Sequence, residues 1–488
     1  MTENTTGVQA QQHDIIIRNA RVIDGSGEPS FTGDLAILDD RISALGDLSK
    51  DRGASEIDAG GKVLAPGFID SHTHDDHALV ATPSMDFKIS QGVTTVVTGN
   101  CGVSIAPLAI DRRPPPPIDL LSGDPRNFHA TFAGYLDALD AEPAAVNAVC
   151  QVGHSTLRLA AMERLDRTAT GDEIDAMRTT LAESMEAGAA GFSTGLFYPP
   201  ARAAATEEVI EILEGFSDFG AIHTTHMRDE ADHIADSIAE TARIGREAKI
   251  PVLISHHKCV GRNNHGRSGE TLAAIDQARA TQLLTLDAYP YVAGSTMLDA
   301  GRLMTASKVL VTWSVPHPNY SGWDLEDVAK DMGRSVDDTI EALLPAGGIF
   351  FSMDEEDVRK ILAYPHTMIG SDGIPGDEHP HPRLWGTFPR VLGHYSRDEG
   401  LFDLETAVRK MTSMTAEQFK LKDRGTIRLG AFADLVLFDA ETIEDSATFE
   451  HPKTPARGID RVFVNGRLVW SDGGFTGARP GRALRHRH

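Results

Sequence analysis

The sequence is poor in cysteine and in basic residues for its length. Only three of its 488 residues are cysteine, namely Cys101, Cys150 and Cys259. So small and odd a number excludes a disulfide scaffold and is typical of a reducing compartment. Lysine and arginine total 46 against 71 acidic residues, which gives a formal net charge of −25 with histidine neutral. Nucleic acid and anionic membranes are therefore disfavoured as partners, because both are negatively charged.

Long apolar runs are also missing. No stretch approaches the roughly 18 apolar residues that a membrane-spanning helix needs. Residues 1–14 are polar and lack the basic start and the apolar run of a signal peptide. We therefore expect a cytoplasmic protein with no membrane partner. Hydrophobic residues at 41% and charged residues at 24% are typical of a folded chain with a sizeable core.

The two ends of the chain have the pattern of β-structure. Residues 1–61 contain short apolar runs that are interrupted by turn residues, and residues 421–488 repeat this pattern. Asn465-Gly466 favours a type I′ hairpin turn, because both positions tolerate a positive φ. We predict that residues 1–61 and 421–488 pair into one small β-sandwich beside a central domain of residues 62–420.

The central region alternates between short apolar runs and helical patterns, which is typical of a parallel βα architecture. The predicted strands, numbered one to eight, are 64–74, 94–101, 146–154, 190–195, 221–226, 252–256, 284–289 and 367–372. Eight such units predict an α/β fold of the TIM (β/α)8 barrel type, whose chemistry lies at the C-terminal strand ends. The connection at about 292–365, between strands seven and eight, is too long for a single helix. We predict that it is an insertion covering the barrel mouth.

Histidine and aspartate side chains follow several of these predicted strands. His72 and His74 end strand one, and because alternate residues of a strand share a face, both imidazoles are expected to point into the barrel. Such a pair suits a metal of the Zn²⁺ type. His226 closes strand five, His256 closes strand six and Asp372 closes strand eight. A metal centre at this end of the barrel is the simplest prediction from this pattern.

This layout resembles that of the amidohydrolase superfamily over nearly the whole chain. That superfamily often bridges two metals with a carboxylated lysine on strand four, but residues 191–195 contain no lysine, whereas strand two ends in Gly99-Asn100-Cys101-Gly102. The combination closely resembles the D-aminoacylase (N-acyl-D-amino-acid deacylase) family. The other matching motifs are His72-Thr73-His74-Asp75-Asp76, Ser193-Thr194-Gly195, His226-Met227-Arg228-Asp229-Glu230, His256-His257-Lys258, Asp287-Ala288-Tyr289-Pro290-Tyr291 and His381-Pro382-Arg383-Leu384-Trp385-Gly386.

The resemblance implies a particular set of metal ligands. One tightly held zinc would be bound by Cys101, His226 and His256, and a second, weaker site would lie between His72, His74 and Asp372. A thiolate is a strong Zn²⁺ ligand, and imidazoles complete the set while leaving one position for water. The alternative for Cys101 is an ordinary buried thiol.

The activity implied by the resemblance is zinc-dependent hydrolysis of N-acyl-D-amino acids to a carboxylate and the free D-amino acid. Asp372 would act as general base and then as general acid. His72 or His74 would help to stabilise the oxyanion. The substrate, a small molecule, would be held through its α-carboxylate by a clamp that the resemblance assigns to Lys258, Tyr289 and Arg383.

The preference for a substrate side chain is left open at this point. Arg302 lies in the predicted insertion and would meet a second carboxylate if the substrate were an N-acyl-D-glutamate, or it is a surface charge. The motif 289–296 is closer to the broad D-aminoacylases, which favours a broad or hydrophobic preference. Another amidohydrolase acting on cyclic amides, and an inactive barrel used for binding, are the remaining alternatives. The sequence does not specify an oligomeric state.

Overall fold

The structure, a computed structural model, describes residues 12–486, so that the first part of the polar N-terminal stretch lies outside the described residues. It is a mixed α/β structure with several sheets. The strands are β1 (Gln12–Val22), β2 (Phe31–Leu38), β3 (Arg41–Gly46), β4 (Arg52–Asp58), β5 (Val63–Pro66), β6 (Phe68–Asp70), β7 (Val93–Thr98), β8 (Asn147–Cys150), β9 (Val152–Gly153), β10 (Gly191–Gly195), β11 (Ile222–His226), β12 (Val252–Ile254), β13 (Leu284–Ala288), β14 (Ala293–Met297), β15 (Val309–Ser314), β16 (Ala346–Phe351), β17 (Thr367–Ile369), β18 (Leu435–Phe438), β19 (Ile459–Val464), β20 (Arg467–Ser471) and β21 (Gly474–Phe475).

Helices follow most of the central strands. They are α1 (Ala78–Ala81), α2 (Asp86–Ile89), α3 (Phe132–Ala141), α4 (His154–Ala161), α5 (Gly171–Ala187), α6 (Pro199–Arg202), α7 (Thr206–Leu213), α8 (Ile234–Ala248), α9 (Ser268–Arg279), α10 (Ala300–Leu303), α11 (Leu325–Met332), α12 (Val336–Leu343), α13 (Glu355–Ala363), α14 (Arg383–Arg390), α15 (Leu404–Lys410) and α16 (Ser413–Gln418). The chain continues from α14 as a π-helix over Val391–Asp398.

The two ends of the chain meet in one nine-stranded sheet. Its order is β21-β20-β19-β18-β5-β1-β2-β3, and β4 pairs with β1. The contact between the ends is the antiparallel pair of β18 with β5, in which Leu437 lies opposite Leu64. Both leucines are buried in a common apolar cluster with Ile17 and Phe463. Strands from both ends of the chain therefore lie in one sheet through β5, while the predicted sandwich of residues 1–61 and 421–488 and the domain boundaries stay predictions.

The central strands are parallel, as the alternating pattern predicts. One sheet has the order β6-β7-β8 and another has the order β17-β13-β12-β11-β10-β9. Each of the eight predicted strands coincides with one or two observed strands. The predicted strand 146–154, for example, is observed as β8 and β9, which are separated by Gln151. At the other edge, Thr73 forms a parallel bridge with Gly373, and the amide of Asp372 donates to the carbonyl of His72 at 2.8 Å. The segments after β6 and β17 are therefore hydrogen-bonded to each other.

The long helix α5 begins at a polar capping box and ends at a glycine. Thr170 precedes the helix and accepts from the amide of Glu173, whose carboxylate in turn accepts from the amide of Thr170. This capping box satisfies amide groups that the first helical turn leaves unpaired. The helix ends at Gly188, whose φ of 115° is one that side-chain-bearing residues rarely adopt.

The predicted insertion contains a small sheet of its own. Strands β14, β16 and β15 form an antiparallel sheet in this order. Leu298, Val311, Leu325 and Leu343 are buried together in a separate apolar cluster on this segment. The segment therefore has its own core, although its limits at about 292–365 stay a prediction.

No helix among residues 12–486 combines the length and the apolar character that crossing a membrane would require.

Replacement of Leu437 by alanine tests the contact between the chain ends. Leu437 is fully buried in the sheet that joins them, so Leu437→Ala should lower the free energy of unfolding by about 2–5 kcal/mol in a denaturant titration. The matched control is Leu429→Ala, because Leu429 is 65% exposed and its loss should change stability by no more than about 0.5 kcal/mol. Equal effects of the two changes would contradict the described sheet.

Candidate metal centre and active site

His72 and His74 lie just beyond a strand and not within it. The first predicted strand extends to residue 74, but β6 ends at Asp70. The reason is that residues 71–74 turn towards the segment after β17, where the amide of His74 donates to the carbonyl of Gly373 at 3.1 Å. The two imidazoles nevertheless converge, because the Nε2 atoms of His72 and His74 lie 3.5 and 3.2 Å from Asp372 Oδ1.

The loop that carries Cys101 passes unusually close to the neighbouring strands. A Cβ atom on Gly99 would lie 2.2 Å from the carbonyl oxygen of Gln151, and one on Gly102 would lie 2.6 Å from the amide of Gly195. Glycine is therefore required on both sides of Cys101, which explains the Gly-Asn-Cys-Gly motif. The tight loop brings the Cys101 thiol to the end of the parallel strands.

Three of the converging residues adopt a left-handed backbone conformation. The φ angles of Cys101, His256 and Asp372 are 53°, 37° and 50°. Such values are uncommon for residues with a side chain, and they concentrate at functional sites where the surrounding structure enforces them. With this backbone conformation, the side chains no longer follow the alternating directions of a strand, and they point towards the cluster of donor atoms.

The side chains form two groups with the composition and spacing of metal sites. Cys101, His226 and His256 make one group, and His72, His74, Cys101 and Asp372 make the other, each with donor atoms within 4.8 Å of one another. The Cys101 Sγ lies 3.3 Å from His72 Nε2 and 3.2 Å from His256 Nε2. All six residues are at most 8% exposed. The structure thus brings together every metal ligand that the sequence predicts.

The electrostatic environment favours the anionic forms of Cys101 and Asp372. Burial by itself would raise the pKa of the Cys101 thiol, but the charges of His72 and His256 outweigh burial and hold this pKa well below its ordinary value. Burial acts in the same direction on Asp372, where the guanidinium of Arg383 and the nearby imidazoles hold the pKa well below its usual range. The site therefore stabilises the thiolate form of Cys101, and Asp372 is ionised near neutral pH.

Glu230 is a site residue to which the sequence reasoning assigned no role. Its Oε1 lies 3.1 Å from His256 Nδ1, and its Oε2 lies 3.6 Å from His226 Nε2. If Nδ1 of His256 donates to this carboxylate, Nε2 is left free to bind a metal on the side of Cys101. Glu230 belongs to the motif 226–230, which is the feature of the sequence that could have indicated it. The contacts of Glu230 with His226 and His256 become visible only in the fold.

Asp287 was missed in the same way. Its Oδ1 accepts a hydrogen bond from the amide of His256 at 2.7 Å and lies 3.6 Å from His72 Nδ1. The side chain is completely buried at the end of β13. It therefore supports the left-handed backbone at His256 and faces the ring of His72.

Lys258, predicted to bind a substrate carboxylate, already has buried partners. Its Nζ donates to Glu230 Oε1 at 2.7 Å and to the carbonyl of His256 at 2.8 Å. The same Nζ lies 5.8 Å from the ring centre of Tyr289, so it is still directed at the site. If Lys258 binds a substrate carboxylate, its ammonium group donates to that carboxylate and to Glu230 at the same time.

Arg383 and Tyr289 lie together beside Asp372, as the predicted clamp requires. The Arg383 Nη1 lies 3.0 Å from Asp372 Oδ2, and the guanidinium carbon lies 4.6 Å from the Tyr289 ring centre. The Tyr289 hydroxyl and the Arg383 Nε have no hydrogen-bond partner within the described part of the chain. Polar hydrogens are thus left free for a ligand.

Arg302 is separate from this cluster. Its guanidinium carbon lies 4.2 Å from the ring centre of Phe197. Tyr198, the next residue, packs its ring 4.7 Å from that of His226. Arg302 is therefore connected to the metal-ligand cluster through two neighbouring aromatic residues, Phe197 and Tyr198.

Comparison with known proteins agrees with this geometry. The sequence profile of the amidohydrolase family matches residues 55–308 and 338–470. The chain is 56% identical over 475 residues to the D-aminoacylase of Alcaligenes xylosoxydans xylosoxydans, covering 97% of this chain and 98% of that protein. It is 51% identical over 488 residues to the N-acyl-D-aspartate deacylase of the same organism, with 99% and 97% covered.

A solved structure extends the similarity to three dimensions. The N-acyl-D-glutamate deacylase of Bordetella bronchiseptica, complexed with zinc and with a phosphonate that mimics the tetrahedral intermediate, has a TM-score of 0.94 and 42% identity. The match covers 97% of this chain and 100% of that one. The chain therefore belongs to the D-aminoacylase family of amidohydrolases.

Alkylation of the metal-free protein tests the ionised state of Cys101. The three cysteines are 1–3% exposed, so access does not distinguish them, but burial raises the pKa of Cys150 and of Cys259 to about 12. After removal of metal with a chelator, a small alkylating reagent at pH 7 should modify Cys101 first, because the thiolate is the nucleophile. Peptide mass spectrometry measures the modification, and added zinc should protect Cys101. Equal modification of all three would contradict the described electrostatics.

Proposed function

We propose that the protein is a zinc-dependent N-acyl-D-amino-acid deacylase, which hydrolyses a linear N-acyl-D-amino acid to a carboxylate and the free D-amino acid. The observation that carries this proposal is the convergence of two donor groups on Cys101, with Asp372 and Arg383 in contact beside them. A hydrolase of this kind needs a metal site, a base and a cation for the substrate carboxylate. All three lie at the same end of the parallel strands.

The residues of the first donor group suit zinc. Cys101, His226 and His256 would hold one zinc tightly, because a thiolate with two imidazoles is a preferred donor set for this metal. Neither ring nitrogen of His226 has a hydrogen-bond partner among the described residues, which leaves this buried imidazole free to act as a ligand. His72, His74 and Asp372 would provide a second, weaker site adjacent to the first.

The proposed chemistry relies on Asp372. When bound, zinc acts as a Lewis acid on the acyl oxygen and makes a water molecule more acidic. Asp372 accepts the proton of the attacking water at a carboxylate oxygen and returns it to the departing amine nitrogen. Because its pKa is held well below the usual range by Arg383 and the imidazoles against the effect of burial, Asp372 is ready as a base at neutral pH.

His72 and His74 complete the proposed catalytic set. Both imidazoles contact the same oxygen of Asp372, so they hold this carboxylate in place while it accepts the proton. One of them would also stabilise the negative charge that develops on the acyl oxygen. This second role follows from their position at the site and is part of the proposal.

The clamp for the substrate α-carboxylate is proposed to consist of Arg383, Tyr289 and Lys258. Arg383 supplies a planar fork of donors that matches a carboxylate, and Tyr289 supplies a free hydroxyl. Lys258 adds positive charge near the Tyr289 ring, while its ammonium group donates to Glu230. Fixing the carboxylate on one side of the metal centre determines which enantiomer presents its amide correctly.

We further propose a broad or hydrophobic preference for the substrate side chain. The support is that the guanidinium of Arg302 lies over the ring of Phe197, 4.2 Å from its centre, where it is engaged by an aromatic side chain. The alternative is an N-acyl-D-glutamate-selective enzyme, in which Arg302 would leave Phe197 to bind the second carboxylate. Cyclic amides are the less favoured substrates, because residues 191–195 offer no lysine to bridge two metals.

The architecture proposed for this site is a closed (β/α)8 barrel of residues 62–420. Its support is the hydrogen bonding between the segments after β6 and β17, together with the single-residue gap between β8 and β9. The segments 1–61 and 421–488 would form the β-sandwich, and about 292–365 would cover the barrel mouth. A cytoplasmic location remains part of the same proposal.

An amine-release assay on matched N-acetyl-D- and N-acetyl-L-amino acids tests the proposed function. We expect turnover of the D-leucine and D-methionine derivatives, weaker turnover of the D-glutamate derivative and none of the L series. Highest activity on D-glutamate would support the glutamate-selective alternative. Activity on both enantiomers alike, or on dihydrouracil alone, would contradict the proposal.

The same assay measures the contribution of Asp372. Asp372→Asn should lower kcat on the best substrate by about 10²- to 10⁴-fold, because the general base is lost, while the zinc bound by the first donor group is retained. Asp166→Asn is the matched control, since the Asp166 side chain is 68% exposed and should leave kcat unchanged.

A further inference from the structure

A buried ion cluster adjoins the segments that carry His72, His74 and Asp372. The side chain of Lys88, in α2, is completely buried. Its Nζ donates to Asp70 Oδ2 at 2.7 Å and to Ser371 Oγ at 2.9 Å, and it lies 3.4 Å from Asp75 Oδ2. None of these four residues has a role in the proposed chemistry, yet Asp70, Asp75 and Ser371 are immediate or near neighbours of His72, His74 and Asp372 in the chain.

The other oxygen of Asp70 binds the backbone on both sides of the site. Asp70 Oδ1 accepts from the amide of His72 at 3.3 Å and from the amide of Ser371 at 2.8 Å. One carboxylate therefore connects the segment after β6 with the segment after β17. Lys88 connects the same two segments a second time, because it binds Asp70 from one and Ser371 from the other.

The active-site backbone depends on this connection. The amide of Asp372 donates to the carbonyl of His72 at 2.8 Å, and Asp372 itself has the left-handed φ of 50°. Such a conformation persists only where the surroundings enforce it. The Ser371 Oγ also accepts from the amide of Gly373 at 3.2 Å. The residues before and after Asp372 are therefore both held by hydrogen bonds, Ser371 to Asp70 and Gly373 to Ser371.

Stability alone is a weak reason for such a cluster. Replacing a buried ion pair by apolar side chains of similar volume is often neutral or stabilising, because desolvation of the charges is costly. Lys88 lies between two buried carboxylates, and the Asp70 carboxylate binds backbone amides of the site with its other oxygen. A geometric requirement at the neighbouring site explains the cluster better.

We propose that Lys88 is a positioning residue for the deacylase reaction, acting through Asp70 and Ser371 to hold Asp372 against His72 and His74. Lys88 touches neither the donor atoms nor the clamp, so its effect must pass through these two partners. The inference rests on the proposed function of Asp372. It also predicts that Lys88 determines the affinity of the second metal site, which shares His72, His74 and Asp372, and leaves the first site unaffected.

The test uses Lys88→Met, which keeps the length of the side chain and removes its charge and donors. The matched control is Lys410→Met, because Lys410 is also buried and, among residues 12–486, donates to the carbonyls of Tyr364 and Thr367 and to no residue of the site. Each variant is loaded with zinc from the metal-free form in a calorimetric titration. kcat and KM are then measured on the best N-acetyl-D-amino acid.

For Lys88→Met we expect kcat to fall by about 10- to 100-fold with little change in KM, and the weaker zinc-binding event to weaken by a similar factor. The tighter event should match that of the unchanged protein. Lys410→Met should reproduce the unchanged kcat and both binding events, whatever its stability. A Lys88→Met protein with unchanged kcat and unchanged weak binding would overturn the inference, and so would equal losses in the two lysine variants.

Ser371→Ala provides an independent variant if Lys88→Met does not fold. It should lower kcat in the same direction, and in the Lys88→Met background it should add less than its separate effect, because coupled residues are not additive. Full additivity, or an unchanged kcat in Ser371→Ala alone, would contradict the proposed route. If the unchanged protein has no deacylase activity at all, the proposed function fails, while the zinc titration still tests the effect of Lys88.

Discussion

The thiol of Cys101 is the group on which the rest of the site depends. It belongs to both donor groups, and its sulfur lies within 3.3 Å of His72 Nε2 and His256 Nε2. A buried thiolate offsets the positive charge that a metal and the surrounding cations would bring into a buried site. Gly99 and Gly102 allow the loop to approach the neighbouring strands closely, which places this sulfur at the strand ends. Without Cys101 the two donor groups would lose the one donor atom that they share.

A chain with a net charge of −25 concentrates several cations at this one place. Lys258, Arg383 and Lys88 are all buried, and each is paired with a carboxylate at 2.7–3.0 Å. Buried charges require such partners. The pairing has a functional consequence, because Arg383 keeps Asp372 ionised and Glu230 fixes the ring of His256. The same contacts therefore balance charge, orient the donors and adjust proton affinity.

The sequence was sufficient to predict the order of the central strands and the identity of the converging donors. The apolar runs mark each parallel strand, and the polar residues after them mark its C-terminal end, so the pattern alone predicts that His226, His256 and Asp372 lie at one end of the strands. His72 and His74 were found for a partly wrong reason, because their convergence arises beyond the strand and not from strand alternation. The left-handed conformations of Cys101, His256 and Asp372 leave no periodic signal in a sequence.

Contacts between distant segments were beyond the reach of the sequence. Glu230 and Asp287 act on histidines from other strands, and Lys88 reaches Ser371 across 283 positions of the chain. Lys258 was correctly directed at the site, but its pairing with Glu230 depends on the positions of β11 and β12 side by side. Patterns within a segment thus predict which residues face a site. The hydrogen bonds and ion pairs between those residues are visible only in the folded structure.

Anomalous diffraction at the zinc absorption edge, from crystals of zinc-loaded protein, tests the proposed centre most directly. The strongest anomalous peak should lie between the Cys101 sulfur and the imidazoles of His226 and His256, with any weaker peak beside His72, His74 and Asp372. A strongest peak at the second group, or zinc bound only outside both groups, would contradict the assignment of Cys101 as the central ligand.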